Sequence, residues 1–175
     1  EVERGFKEAL KGSNLNIVYS GYCDNWLAEL AATHVNKGLE ITDDVVGVMC
    51  GNDDIASQAV KVLSENRLAG QVAVVAQDAD LAACQRIVEG TQTMTVYKPI
   101  EQEASTAAEL AVRLGKGEDI SKEENGISVN ETFNDGSNYI PYYKITPVAV
   151  TAENIDEVII DGGFHTREDV YLNVK

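Results

Sequence analysis

The 175 residues are 44% hydrophobic and 25% charged, enough apolar side chain to bury the core of one or two compact domains and to exclude general disorder. Fourteen basic against twenty-nine acidic residues leave a formal charge of −15, which disfavours phosphate backbones and anionic membrane surfaces, so no nucleic-acid partner is expected. No apolar run approaches the roughly 20 residues that a membrane-spanning helix requires.

The chain opens with a predicted helix that places Val2, Phe6, Ala9 and Leu10 on one face and stops at Gly12. NIVYS (16–20) reads as a strand, followed by a helix over about 25–38 with Leu27, Leu30, Ala31 and Val35 on one side. VVGVMC (45–50) reads as a buried strand. The next helix carries Ala56, Ala59, Val60 and Leu63 at helical spacing, with Asp53 placed to cap its start. VAVVA (72–76) is a further apolar strand, a helix runs through Leu81, Cys84 and Val88, and TMTVY (93–97) alternates as a strand.

Uninterrupted apolar runs such as VVGVM and VAVVA suit a parallel sheet covered on both faces by helices. The fold class expected is therefore α/β, with a parallel sheet and helices on each side. Beyond Pro99 a helix with Ala104, Ala107, Ala108, Ala111 and Leu114 leads into the polar stretch GKGEDISKEENG, read as an exposed loop. NETFNDGSNYIPYY (130–143) suggests a hairpin or surface loop, ITPVAV a short extended piece and TAENIDEVI a short Thr-capped helix. An α/β sheet normally starts with a strand, so a chain beginning in a helix is expected to be part of a longer protein.

Cys23, Cys50 and Cys84 form no C-x-x-C pair and are odd in number, which argues against a disulfide scaffold or zinc ribbon and casts them as core residues. With only His34 and His165, a three-histidine catalytic zinc site cannot be built, and neither metal nor cofactor is expected. No phosphate-binding G-x-x-x-x-G-K-[ST], no dinucleotide G-x-G-x-x-G and no G-x-S-x-G elbow occurs. Lys98-Pro99 at a strand end suggests a phosphoacceptor receiver domain only faintly, because 20 residues from Asp78 cannot hold the two strands and helices that such a domain needs.

Ligands of open parallel sheets sit beyond the carboxyl ends of the strands. Trp26 to Asn52 and Asn52 to Asp78 are each 26 residues apart and Asp78 to Lys98 is 20, one βα unit at a time. These four residues would line one rim with an aromatic face, an amide, a carboxylate and an ammonium. That set suits a small polyhydroxylated ligand, whose hydroxyls pair with amide and carboxylate while its C–H face lies on an indole. Plainer roles stand beside this one: Trp26 as core, Asn52 as a turn residue, Asp53 and Asp54 as helix caps, His34 as a packed histidine and His165 as a tail residue without a partner. A glycosidase needs two carboxylates at a set separation, which spacing alone does not give for Asp53, Asp78 or Asp80.

The run QDADLAACQRIVEGTQTMTVYKPI (77–100) closely resembles the D-xylose-binding proteins of bacterial ABC importers, within the type I periplasmic sugar-binding superfamily. GNDDIASQAVKVLSENRLAGQVAV, CDNWLAELA and DGGFHTRED resemble other parts of the same proteins, so the likeness covers almost the whole chain. It implies a Rossmann-like, three-layer α/β/α lobe, with residues 1–98 in the carboxyl-terminal lobe, 99–145 in the amino-terminal lobe and 146–175 returning. The remainder of the amino-terminal lobe, the first strand of the second lobe, and any export signal or lipid anchor would lie upstream.

The resemblance further implies a non-enzymatic, extracytoplasmic protein, periplasmic or a cell-surface lipoprotein, that closes over a monosaccharide and is read by ABC transporter membrane subunits. Trp26 would stack on the sugar, Asn52 and Asp78 would hydrogen-bond its hydroxyls, and Lys98 would donate at the hinge. Two alternatives share the fold: an extracellular sugar sensor for a histidine kinase, and the effector-binding domain of a transcription regulator. A sugar-modifying enzyme using Asp78 as base is a third. Cys23, in the loop before Trp26, is a departure from the family pattern that leaves the four matched positions untouched.

Overall fold

The structure, a computed structural model, describes residues 2–174. In chain order its elements are α1 (Val2–Ala9), a 3₁₀ turn (Asp24–Trp26), α2 (Leu30–Ile41), β1 (Gly47–Met49), α3 (Asp53–Glu65), β2 (Ala73–Val75), α4 (Leu81–Val88), β3 (Thr95–Tyr97), α5 (Ile100–Gly115), β4 (Glu131–Asn134), β5 (Tyr139–Tyr142), β6 (Val148–Val150), a π-helical turn (Asp156–Asp161) and α6 (Arg167–Val170). They divide into two compact units, Glu1–Tyr97 with Val148–Lys175, and Lys98–Pro147.

In the first unit β1 and β2 pair in parallel, Val48 opposite Val74. Beyond them the ladder continues to β3 through Ala76 N donating to Met94 O (3.1 Å), Val96 N to Ala76 O (3.1 Å) and Asp78 N to Val96 O (2.9 Å). β6 then closes the far side antiparallel to β3, Val96 opposite Ala149. An antiparallel edge strand on a parallel sheet is a common arrangement, reached here by the chain returning after the second unit.

Two apolar clusters hold this unit. One joins Ala31 and Val35 of α2, Ala56, Ala59 and Leu63 of α3, and Val74 of β2. The other joins Cys84 and Ile87 of α4, Val150 of β6, Ile155 and Ile159 around the π-helical turn, and Val170 of α6. Burial of a side chain such as Leu63 or Ile159 contributes about 1.5–3 kcal/mol. The period of two puts Val72, Val74 and Ala76 on one buried face of β2. The other face is not covered as the apolar runs suggested: Ala73 is exposed and Val75 only half-buried. α1 forms as predicted but buries no residue, so its apolar stripe does not supply the missing layer.

Three further expectations change. NIVYS is not a strand: β1 pairs only with β2, and Ile17 and Val18 are 45% and 47% exposed. An apolar run becomes a strand only when an edge accepts its backbone hydrogen bonds, and this segment is tethered by side chains instead, Tyr19 to His34 (2.9 Å) and, just beyond it, Tyr22 to Glu3 (3.1 Å). The second helix starts at Leu30 and not near Asn25, because Asn25 (φ 54°) and Trp26 (φ 59°) are left-handed and cannot join a right-handed helix. The segment read as a Thr-capped helix is a π-helical turn, although Thr151 Oγ1 does accept from Glu153 N at 3.3 Å.

The second unit consists of α5, the loop after it and the β4–β5 hairpin. The hairpin pairs Asn134 with Tyr139, and in its turn Asp135 Oδ1 accepts from Ser137 N and Asn138 N, both at 2.7 Å. The alanine stripe of α5 faces outward with Leu114 (58% exposed), and the helix buries Thr106 and Arg113 instead. Arg113 gives the exposed loop an order its polar sequence did not suggest. Its guanidinium donates to the carbonyls of Ile127 (3.1 Å), Asp119 (3.2 Å) and Lys122 (2.7 Å), with the Glu124 and Glu118 carboxylates 3.6 and 3.8 Å away.

Candidate functional site

The candidate site is assembled from the irregular segment that leads into Trp26 and from the loops that follow β1, β2 and β3. The first loop is shaped by His34. Its Nε2 meets the Tyr22 carbonyl at 3.0 Å, and because a carbonyl only accepts, Nε2 carries the proton and Nδ1 accepts from Tyr19 Oη. Gly21 lies under this ring, where a β-carbon would collide with the imidazole. His34 is thus the packed residue that sequence suggested, and it fixes the approach to Trp26. The left-handed pair Asn25–Trp26 then turns the indole outward, 64% exposed, with its Cζ3 3.2 Å from where a β-carbon of Gly51 would sit. Trp26 is therefore not a core residue; it is an exposed aromatic face beside the residue that precedes Asn52.

The second loop starts α3. Asn52, extended (φ −155°, ψ 177°), is the N-cap: its Oδ1 accepts from Ile55 N at 3.0 Å. The capping role expected of Asp53 thus belongs to its neighbour, since Asp53 already lies inside the helix and turns its carboxylate into the protein, 1% exposed. With Oδ1 engaged by the cap, the half-buried Asn52 amide offers a ligand chiefly its Nδ2 donor.

The third loop, Gln77–Asp80, contains two non-glycine residues with positive φ, Asp78 (109°) and Ala79 (56°). Each such residue costs about 1–3 kcal/mol and persists where the surroundings over-determine it. Here Asp53 N donates to Gln77 O (3.0 Å), Asp78 N to Val96 O (2.9 Å), Ala79 N to Thr95 Oγ1 (3.1 Å) and Asp80 N to Asp53 Oδ2 (3.1 Å). The Ala79 carbonyl accepts from His165 Nε2 at 2.9 Å, so the tail histidine, read from sequence as partnerless, is tied to this turn. Asp78 itself is half-buried on the rim. Lys98, also half-buried, follows β3 directly and is the first residue of the second unit.

Beneath the rim lies a polar cluster that sequence reading did not find. The Asp53 carboxylate accepts from Thr95 Oγ1 (2.7 Å), Gln92 Nε2 (2.9 Å) and Asp80 N, while Arg86 bonds Gln92 Oε1 (2.9 Å), Ser57 Oγ (2.8 Å) and Asp53 O (3.2 Å). Burial pushes Asp53 above the ordinary carboxylate range, and the donors from Thr95, Gln92 and Asp80 only partly offset it. Asp80 is raised by burial and by the neighbouring charges of Asp53, Asp54 and Asp78. Burial also pushes the Cys50 and Cys84 thiols up to about 12, which suits core residues rather than nucleophiles. Among the described residues no group of three or more His, Cys, Asp or Glu is placed to hold a metal ion. Shallow depressions beside α5 and along α1 include none of the strand-end residues.

A parallel α/β lobe whose strand-end loops carry an amide and a carboxylate, with an exposed indole beside the first of them, has the architecture of a small-solute binding domain. The chain belongs to the family described as periplasmic binding protein domain, which matches residues 1–119. It is 42% identical over 163 residues to the D-xylose-binding periplasmic protein of Haemophilus influenzae, covering 93% of this chain and 47% of that protein. It is 37% identical over 165 residues to the D-xylose-binding periplasmic protein of Escherichia coli, covering 94% and 48%. Among solved structures, the carbohydrate transporter solute-binding protein of Chloroflexus aurantiacus in complex with D-glucose aligns with a TM-score of 0.70 at 26% identity, over 83% of this chain and 42% of that one. The chain spans about half the length of the curated relatives it matches.

Proposed function

We propose that this chain is the sugar-binding part of an extracytoplasmic solute-binding protein that captures D-xylose, or a closely related aldose, for ABC-type import. The observation that carries the proposal is the rim of the first unit. Trp26 presents its ring edge against Gly51, Asn52 follows at once, and Gln77, one residue before Asp78, accepts from the backbone of Asp53 at 3.0 Å. In this reading the indole covers the C–H face of the sugar, Asn52 Nδ2 donates to one hydroxyl, and the Asp78 carboxylate accepts from two. Lys98 donates as a fourth contact at the hinge, and residues 99–145 belong to the amino-terminal lobe, both on the family resemblance. The two D-xylose-binding relatives support the pentose, and no group transfer is needed for the function.

The test is calorimetric titration of the full-length protein with D-xylose, L-arabinose, D-ribose and D-glucose. Micromolar affinity, about 8 kcal/mol of binding free energy, is expected for D-xylose, weakening by about 1–3 kcal/mol in Asp78→Ala as sugar hydroxyls lose their acceptor. Absence of binding heat with every sugar would overturn the proposal.

A further inference from the structure

The Gln77–Asp80 turn is held by more bonds than its length requires, and they come from three separate parts of the first unit. α3 supplies the Asp53 carboxylate to Asp80 N and the Asp53 N–H to Gln77 O. β3 supplies the Thr95 hydroxyl to Ala79 N and the Val96 carbonyl to Asp78 N. The carboxyl-terminal segment supplies the His165 Nε2–H to Ala79 O. Within the turn, Asp78 and Ala79 have a backbone conformation that neither residue type favours.

Asp53 connects these bonds. A carboxylate in the first turn of a helix serves the helix dipole equally well from the surface, and the cap is already supplied by Asn52, so neither role accounts for its complete burial. Its partners do account for it. Thr95, fully buried, gives its hydroxyl proton to Asp53 Oδ2, which leaves the oxygen's lone pairs to receive Ala79 N–H. A carboxylate meets Thr95, Gln92 and Asp80 as an acceptor on both oxygens, whereas an asparagine would turn an N–H₂ toward one of these donors.

We infer that Asp53 and His165 are positioning residues for Asp78, locking the left-handed Gln77–Asp80 turn so that the Asp78 carboxylate stands ready on the rim before any ligand arrives. The inference rests on the sugar-binding reading for its consequence, affinity, but the lock itself is a property of the ligand-free protein. Preorganisation of this kind raises affinity because the turn does not have to be ordered on binding.

The test is a double-mutant cycle in the full-length protein, read by calorimetry with D-xylose and by amide hydrogen exchange without sugar. Asp53→Asn is expected to weaken binding roughly tenfold and His165→Ala roughly fivefold, with His165→Gln, which keeps an N–H donor, recovering most of the loss. In an Asp78→Asn background, neither substitution should weaken binding further, since each acts through the Asp78 carboxylate. A residue that merely stabilised the fold would lower affinity equally in both backgrounds, and that outcome overturns the inference. Should Asp53→Asn fail to fold, His165→Ala and His165→Gln carry the cycle alone. In the exchange experiment Ala79 and Asp80 amides should lose protection in Asp53→Asn and His165→Ala while β1 and the middle of α3 keep theirs. Unchanged protection at both amides would overturn the lock whether or not sugar binds, whereas wild-type protein that binds no sugar would overturn the proposed function alone.

Discussion

Asn52 is assigned two jobs on opposite ends of one amide, and a pair of substitutions separates them. Oδ1 caps α3 through Ile55 N at 3.0 Å, and Nδ2 is the donor proposed for the sugar. Asn52→Ala removes both, and the lost cap is worth about 1 kcal/mol. With a urea m-value of about 2 kcal/mol/M, the unfolding midpoint should fall by about 0.5 M. Asn52→Asp keeps an acceptor for Ile55 N, and its added charge gains from the helix dipole while being opposed by Asp53 and Asp54 in the same first turn. Its midpoint should therefore stay near that of wild type. Affinity divides the variants differently, because neither alanine nor aspartate donates. Both should lose about 1–3 kcal/mol of D-xylose binding. Urea unfolding followed by circular dichroism and calorimetric titration give the two readings. If Asn52→Asp lowers the midpoint as far as Asn52→Ala, the cap is not what Asn52 contributes. If it binds D-xylose with wild-type affinity, Nδ2 is not the donor.

Cys50 and Cys84, buried with thiols pushed up to about 12, should resist iodoacetamide in the folded protein at pH 8 and react only in urea, while half-buried Cys23 reacts first; peptide mapping after a timed quench checks this, and equal labelling of all three would contradict the packing described. Asp53 carries a pH signature. Its folded pKa is raised, so the stability it contributes is complete below the ordinary carboxylate range and is lost as pH rises through the raised value. Lowering the pH from neutrality into the ordinary carboxylate range should therefore stabilise wild type relative to Asp53→Asn in urea unfolding, and a gap that moves the other way would show that the donors around Asp53 outweigh its burial.

The parts of the fold legible in sequence were those set by local apolar pattern. VVGVMC and VAVVA gave β1 and β2, and the spacing of Ala56, Ala59, Val60 and Leu63 gave the buried face of α3. NIVYS carries the same kind of pattern, but pairing depends on a neighbouring edge that a segment's own residues do not encode. The start of α2 was hidden for a conformational reason: left-handed Asn25 has a mild sequence signal, left-handed Trp26 none. At the rim, the rule that loops after parallel strands face ligands directed attention to Trp26, Asn52 and Asp78. The support underneath escaped that rule because its partners are remote. Asp53 looked like a cap until Gln92 and Thr95, 39 and 42 residues later, were seen to hold it. His165 lies 86 residues from Ala79 and binds a backbone carbonyl, an acceptor that every residue has and no side-chain pattern advertises.

The same asymmetry governs the loop after α5, with a consequence for how it tolerates change. Arg113 binds that loop through the carbonyls of Asp119, Lys122 and Ile127, so three of its attachments are indifferent to which side chains the loop carries. Substitutions at Ser121, Glu123 or Ser128 leave those attachments intact and can accumulate, while one change at codon 113 removes all three together. The loop's path is thus held in large part from α5, with Glu118, Glu124 and the Ser121–Asp119 bonds adding support from within it.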